Sequence, residues 1–325
     1  MVSAMYKQVK MQSVSVFAPA TVGNLVCGFD VLGFALEHPG DKVRMELNDS
    51  GRVSLDLVEG DKGRLPREPE KNIVSAVVNN FLKYIGTNQG VGIRLYKQMP
   101  FGSGLGSSAA SAVAGLVAIN ELMGQPLSRE ELLPLAIDGE RLSSGSAHAD
   151  NVAPSLLGGI VLVRGKNLND AVKLPFPRDL VCALVYPHIE VSTRLAREII
   201  PENIMLKDAI RQWGNIAGLV AGLCTSDKAL IGRSMEDVVA EPLRSGLIPG
   251  FNRMREIALE NGAIGFGISG SGPTVFALCD DKARARSLAG LLRQSLDERG
   301  IVSSTFISDI NNEGAVVLSG KPHMV

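Results

Sequence analysis

The chain has 325 residues, enough for two domains with sizeable cores, and its 33 Lys and Arg against 34 Asp and Glu leave a net charge of −1. So even a balance gives no electrostatic reason to expect nucleic acid or an anionic membrane as partner, and it points to a small-molecule ligand. Cys27, Cys182, Cys224 and Cys279 are far apart and form no Cys-x-x-Cys pair, which argues against a disulfide framework or a thiolate metal site and fits a reducing cytoplasm. Residues 1–10 carry no apolar core of signal-peptide length, and the most apolar stretch, Ile216 to Cys224, is too short to span a bilayer; a soluble cytoplasmic protein is expected.

Val14 to Asn24 begins as an alternating strand and ends in small, turn-forming residues. In the following Gly28 to Leu36, Asp30 is a carboxylate among apolar and glycine neighbours. It is either a turn cap with exposed oxygens or a partner for a ligand's ammonium group, because burying it unpaired is costly. Strands are predicted at Asp41 to Leu47 and Arg52 to Val58, then a polar loop from Glu59 to Lys71. Asn72 to Tyr84 has helical periodicity with Asn72 at the cap, where its amide could also read the edge of a purine.

Val91 to Tyr96 predicts a strand and the alanine-rich Ala109 to Leu122 a helix. Between them Pro100, Phe101, Gly102, Ser103, Gly104, Leu105, Gly106, Ser107, Ser108 and Ala109 put three glycines at a strand-to-helix handover. Backbone can bind phosphate there, because the first helical turn has unpaired N–H groups and about half a positive charge, and glycine has no Cβ to hold an anion away. Ser107 and Ser108 offer hydroxyls as caps or as ligands to a phosphate-bound Mg²⁺. The loop is no Walker A motif, since no lysine follows the glycines, and no dinucleotide fingerprint, since Ser107 stands for the third glycine. Gly265 to Gly270 fits that fingerprint formally, but a strand over Thr274 to Leu278 follows where a helix is required, which rules out a Rossmann reading.

Gly124 and Pro126 stop the central helix, and Ser128-Arg129-Glu130-Glu131 is a capping box that opens another. Its apolar stripe of Leu133, Ala136 and Ile137 continues to Glu140, which makes an internal ion pair, snorkels to water or ligates Mg²⁺. Ser143 to Pro154 is a run of small residues suited to the wall of a cleft. His148 within it is a candidate general base or metal ligand, but no His-x-x-x-His spacing supports a metal role and a hydrogen-bonding role is expected. Leu157 to Val163 reads as a strand, and the polar Gly165 to Arg178 as the boundary between domains at 1–170 and 171–325. The second half alternates a strand (Leu180 to Tyr186), helices, a strand pair around Gly270 and Gly272, a helix from Asp281 to Glu298 and final strands, an α+β arrangement of helices on a small antiparallel sheet. Arg197 and Arg244 in this half are solvated or, brought together, fork onto a carboxylate.

Three stretches then coincide with one family. Pro100-x-x-x-Gly104-Leu105-Gly106-Ser107-Ser108-Ala109-Ala110 resembles the central motif of the GHMP small-molecule kinases, Pro19-Ala20-Thr21 through Gly28-Phe29-Asp30-Val31-Leu32-Gly33 their N-terminal motif, and Ser269-Gly270-Ser271-Gly272-Pro273-Thr274-Val275 their C-terminal one. Within the family the chain is most similar to the homoserine kinases, through Asn24 with Asp30, His148 to Pro154, Ser192-Thr193 with Arg197, and Glu241-Pro242-Leu243-Arg244. The resemblance implies an N-terminal domain like ribosomal protein S5 domain 2, a ferredoxin-like C-terminal domain, and a cleft between them for ATP and Mg²⁺. It implies Ser108 (with Ser107 in reserve) and Glu140 as Mg²⁺ ligands and Asn72 at the adenine. For L-homoserine it implies Asp30 at the amino group, Arg197 and Arg244 at the carboxylate, and Asn24, His148 and Asn151 around the hydroxyl. Asn151 stands where mevalonate-kinase-like relatives have a carboxylate base, so direct transfer without a strong base is expected. Another GHMP kinase, acting on a sugar or isoprenoid alcohol, and a nucleotide-binding module without turnover are the alternatives; a homodimer is compatible with any of the three.

Overall fold

The computed structural model describes residues 12–144, 148–164 and 170–318. The reading of residues 1–10 lies outside the described residues, as do 145–147 of the small-residue run and 165–169 of the expected boundary.

β1 (Ser13–Gly23) is followed by one long strand, β2 (Leu32–Asn48), of which only Asp41 to Leu47 was expected. Its first half stays in the sheet because β1 pairs with β2 along nearly its whole length, from Ser13 opposite Glu46 to Gly23 opposite Gly33. β3 (Val53–Glu59), α1 (Ile73–Tyr84), β4 (Gly90–Tyr96), α2 (Ser107–Leu122) and α3 (Arg129–Ser144) follow in the order expected. Asn72 caps α1 by accepting from the Val74 N–H (3.1 Å), and the capping box of α3 closes through Ser128 and Glu131. α2 is buried on nearly all sides, which only small side chains such as its many alanines allow.

Two elements depart from the sequence reading. Residues 149–157 form α4 (Ala149–Leu157), so the strand expected from Leu157 begins only at β5 (Ile160–Arg164). Its first turn has no side-chain cap and Pro154 lies inside it; burial of nearly every residue holds the helix, a tertiary effect without a local signal. Within the expected boundary, β6 (Asp170–Leu174) pairs with β5 alone, and as a solvent-facing edge strand it is polar enough to read as loop.

The second unit comprises β7 (Val181–Pro187), α5 (Thr193–Glu198), α6 (Leu206–Thr225), α7 (Lys228–Ser234), α8 (Glu241–Arg244), α9 (Phe251–Glu260), β8 (Gly265–Ile268), β9 (Val275–Cys279), α10 (Lys282–Asp297) and β10 (Ser303–Asp309). Its antiparallel sheet has the order β10-β7-β9-β8. The last strand, β11 (Val316–Val317), returns to pair with β1 in the larger sheet, which runs β11-β1-β2-β4-β3 with β5 and β6 branching from β2. The protein thus has a two-domain α+β fold.

The smaller sheet is buried on both faces. Val181, Ala183 and Val185 face α9 and α10, while Cys182, Leu184, Phe276 and Leu278 join the core of the first unit, where Phe276 meets Phe34 edge to face at 5.9 Å. This packing seats the β8–β9 turn against the glycine-rich loop that precedes α2. Among the described residues no helix is long and apolar enough to cross a membrane.

Candidate active site

Gly102, Gly104 and Gly106 all adopt left-handed φ, from 61° to 76°. Gly106 is the N-cap of α2 and provides no side-chain cap, so the first-turn N–H groups keep no internal acceptor. The loop is clamped from behind. Ser269 Oγ donates to the Gly104 carbonyl (2.8 Å), the Thr274 N–H to that of Ser103 (3.2 Å) and the Thr21 N–H to that of the buried Leu105 (3.0 Å). A Cβ at Gly106 would lie 2.1 Å from Thr21 Oγ1. Gly106→Ala is therefore expected to cost about 2–4 kcal/mol of stability and to abolish nucleotide binding, read by thermal unfolding and by titration with ATP.

Space supplies a lysine that the linear motif lacks. Lys97, just past β4, reaches the start of α2, where its ammonium donates to Ser111 Oγ (2.8 Å) and the Ser107 carbonyl (3.0 Å) and pairs closely with Ser107 Oγ and Asp41. Asp41 is fully buried and also accepts from Ser111 Oγ (2.7 Å) and the Gln98 N–H (3.0 Å). The two serines of the motif are thereby distinguished. With an ammonium on its lone pairs Ser107 is a poor ligand for a second cation and keeps its proton to donate, whereas the Ser108 hydroxyl bonds to the carboxylate of Glu140.

Glu140 is buried at the end of the α3 stripe. Burial pushes its pKa up, opposed by the Ser108 hydroxyl and by the charges of His148 and Lys97. His148 precedes α4 at the rim, and in the first turn of α4 Asn151 Oδ1 accepts from Thr21 Oγ1 (2.9 Å). Beside it stands a residue that the sequence reading did not single out. Asp150 is buried, accepts the Asn24 N–H at one oxygen (3.1 Å), and among the described residues has no hydrogen-bond partner at the other. Burial, and then the charge of Asp30, push its carboxyl up to about 7.

The turn after β1 is strained. Asn24, Leu25, Val26 and Asp30 all have positive φ, a conformation that costs non-glycine residues roughly 1–2 kcal/mol each. Asn24 holds it by donating to the Gly270 carbonyl (2.9 Å) and accepting from the Asp30 N–H (3.0 Å). Asp30, partly exposed, forms an ion pair with Arg197 of α5. Arg244, 5% exposed at the end of α8, donates to the carbonyls of Ala196 and Gly270 (both 2.9 Å). The two guanidinium groups converge on one face-forming residue, Phe29, at 5.2 and 4.9 Å from its ring centre. Phe29 carries no polar group and sits between Gly28 and Asp30, where an aromatic reads as core; only the two arginines reveal it.

A cleft of about 690 Å³ connects these groups. Asn24, Asp30, Asn72, Gly102, Ser103, Gly104, Gly106, Ser107, Ser108, Ala109, Glu140, His148, Asn151, Arg197, Arg244 and Gly270 all line it, and Lys97 and Asp150 join them. Pro100, Leu105 and Gly272 are outside its lining and shape the two glycine loops from behind. Asn72, which lines the cleft with Leu65 and Pro66, uses its amide on Val74 N–H and the Pro66 carbonyl (both 3.1 Å), which leaves one amide hydrogen for a ligand.

The family model described as "GHMP kinases N terminal domain" matches residues 72–159 and that described as "GHMP kinases C terminal" matches 219–297. A homoserine kinase of Chlorobium phaeovibrioides is 48% identical over 320 residues, covering 95% of this chain and 100% of that protein. The crystal structure of homoserine kinase from Cytophaga hutchinsonii superposes with a TM-score of 0.94 at 50% identity, covering 97% of this chain and 100% of the other. A mevalonate kinase structure from L. major, in complex with R-mevalonate, has a TM-score of 0.69 at 17% identity over 94% of this chain and 99% of the other, a likeness of fold alone.

Proposed function

The chain belongs to the homoserine kinases of the GHMP kinase family, and from that premise we propose that it transfers the γ-phosphoryl group of ATP to the side-chain hydroxyl of L-homoserine. The observation that carries the substrate assignment is the meeting of Asp30, Arg197 and Arg244 beside Phe29 in the lining of the cleft. A zwitterion fits there. Its ammonium replaces Arg197 at Asp30, and its carboxylate takes up the Arg197 guanidinium so released, beside that of Arg244. Mevalonate and galactose offer no ammonium for Asp30. ATP consumption is accordingly expected with homoserine and absent with those two alcohols, and equal rates with all three would refute the assignment.

The triphosphate lies along Gly102 to Ser108, with first-turn N–H groups and the Ser107 hydroxyl as donors and Lys97 as a fixed charge behind them. A hard dication suits the oxygen pair of Ser108 and Glu140, since a buried carboxylate beside a hydroxyl and a phosphate loop is the donor chemistry Mg²⁺ takes. When bound, Mg²⁺ neutralises phosphate charge. Asn72 lies at the adenine. In the division of the chain at residue 170, the phosphate loop belongs to the first part and the arginines to the second, so ATP and acceptor meet between them. A reducing cytoplasm suits the unpaired thiols of Cys27, Cys182, Cys224 and Cys279.

Asn24, His148 and Asn151 surround the acceptor hydroxyl, and the open oxygen of Asp150 is the group available to take its proton, late in a loose transition state. kcat/KM should then rise with pH and level off above about 7. Asp150→Asn should remove the limb and cost about 10²- to 10⁴-fold in kcat. Stability has the opposite sign. The folded carboxyl titrates near 7 against 3.8 as its ordinary value, so the native chain keeps a proton the unfolded chain has lost, and stability falls as pH rises across that window. Asp150→Asn is expected to stabilise the protein by about 1–3 kcal/mol at pH ~8, measured by denaturant titration.

A further inference from the structure

Phe29 is an aromatic residue that the core does not use. Its neighbours Leu25, Val26, Cys27 and Leu32 belong to the larger apolar core and Val31 packs against it, whereas the partly buried ring of Phe29 joins neither core of the described residues. Nor does it line the cleft. What lies over the ring is charge: the guanidinium of Arg197 at 5.2 Å from its centre and that of Arg244 at 4.9 Å. The turn that carries the ring is tied down on both sides. The N–H groups of Val31 and Leu32 donate to the Gly28 carbonyl (both 2.9 Å), the Asp30 N–H donates to Asn24 Oδ1 (3.0 Å), and a Cβ at Gly28 would lie only 2.4 Å from that of Leu32. The ring is therefore a fixed platform.

Two like charges brought to one ring repel each other, and a single carboxylate, Asp30, pairs with one of them, Arg197. Arg244 spends its bonds on the carbonyls of Ala196 and Gly270; burial holds its guanidinium below the ordinary range, Asp30 opposes that, and the charge of Arg197 adds to it. Binding of a zwitterion makes the problem sharper, because its ammonium takes Asp30 away from Arg197. The face of an aromatic ring is suited to that moment. It attracts a cation through its quadrupole and engages none of the N–H groups, so a guanidinium held there keeps its donors for a carboxylate, which one held by Asp30 does not. We propose that Phe29 is a positioning residue for the amino-acid acceptor, an inference that rests on the homoserine reading above: its ring face keeps Arg197 and Arg244 in place while the ammonium takes Asp30, so that the carboxylate meets two guanidinium groups already gathered. The ring acts through the arginines and touches neither the nucleotide nor the reacting oxygen.

Phe29→Leu, which stays apolar and loses the π face, should raise KM for homoserine about 5- to 30-fold and leave kcat and the KM for ATP within about threefold of the wild type. Phe29→Tyr, which keeps the face, should restore KM. A packing role would also answer to lost volume, so the deciding series places mono-, di- and trifluorinated phenylalanine at position 29. Each fluorine drains the ring face with little change of shape, and KM for homoserine should climb step by step while thermal unfolding stays constant. A wild type that consumes no ATP with homoserine refutes the substrate reading on which the inference rests. An active wild type whose KM is flat across the fluorinated series, or whose Phe29→Leu loss falls on kcat or on ATP, overturns the inference alone.

Discussion

Glu140→Ala is expected to lower kcat about a thousandfold or more while the chain stays folded. The carboxylate is buried, its own burial disfavours the ionised form, and what opposes that is the Ser108 hydroxyl and the charges of His148 and Lys97. Such a group is retained for what it binds, since it is a poor source of stability. Removing it costs the fold little and takes from the site the carboxylate bonded to Ser108. Glu140→Gln keeps the shape and should lose nearly as much, which separates lost charge from lost packing. Steady-state kinetics over a range of Mg²⁺ concentrations, with thermal unfolding as the control, checks both variants. Near-normal turnover in Glu140→Ala would sink the assignment of the metal to this carboxylate.

Asp30→Asn and Arg197→Leu are each expected to lower kcat/KM for homoserine by about 10²- to 10⁴-fold while the KM for ATP changes little. In the structure the two side chains pair with each other, partly exposed, so losing either leaves its partner in reach of water and should not unfold the protein. In the substrate complex the same loss strands one charge of the zwitterion in the cleft. The penalty therefore appears with the acceptor and not with the nucleotide. Arg244 is the less clean probe, because its guanidinium also holds the carbonyls of Ala196 and Gly270 and its removal would loosen both α5 and the second glycine loop. An Arg197→Leu enzyme with unaltered kcat/KM for homoserine would mean that the carboxylate is held elsewhere.

The parts of the site that are legible in the sequence are those whose chemistry is local. A glycine loop before a helix binds anions wherever it occurs, and Asn72, the capping box at Ser128 and the strand before Gly270 follow from neighbours a few residues away. The family motifs carried the remaining assignments, including Asp30, Arg197 and Arg244, whose residue types alone left a solvated reading open. What escaped depends on distant packing. α4 has neither cap nor periodic signal and is held by burial, and β6 looks like loop because an edge strand meets solvent. Lys97, Asp41, Asp150 and Phe29 matter only because the fold brings them to the loop, the hydroxyl pocket and the two arginines.

By itself the amino-acid sequence determined the class of chemistry, phosphoryl transfer to a small alcohol, and most of the elements that carry it. The tertiary structure decided which of two adjacent serines is engaged by Lys97, and that Asp150 is buried beside Asn24. The reason is that hydrogen bonding to backbone is a property of short segments, whereas desolvation and charge pairing depend on what residues far apart in the chain place around a group.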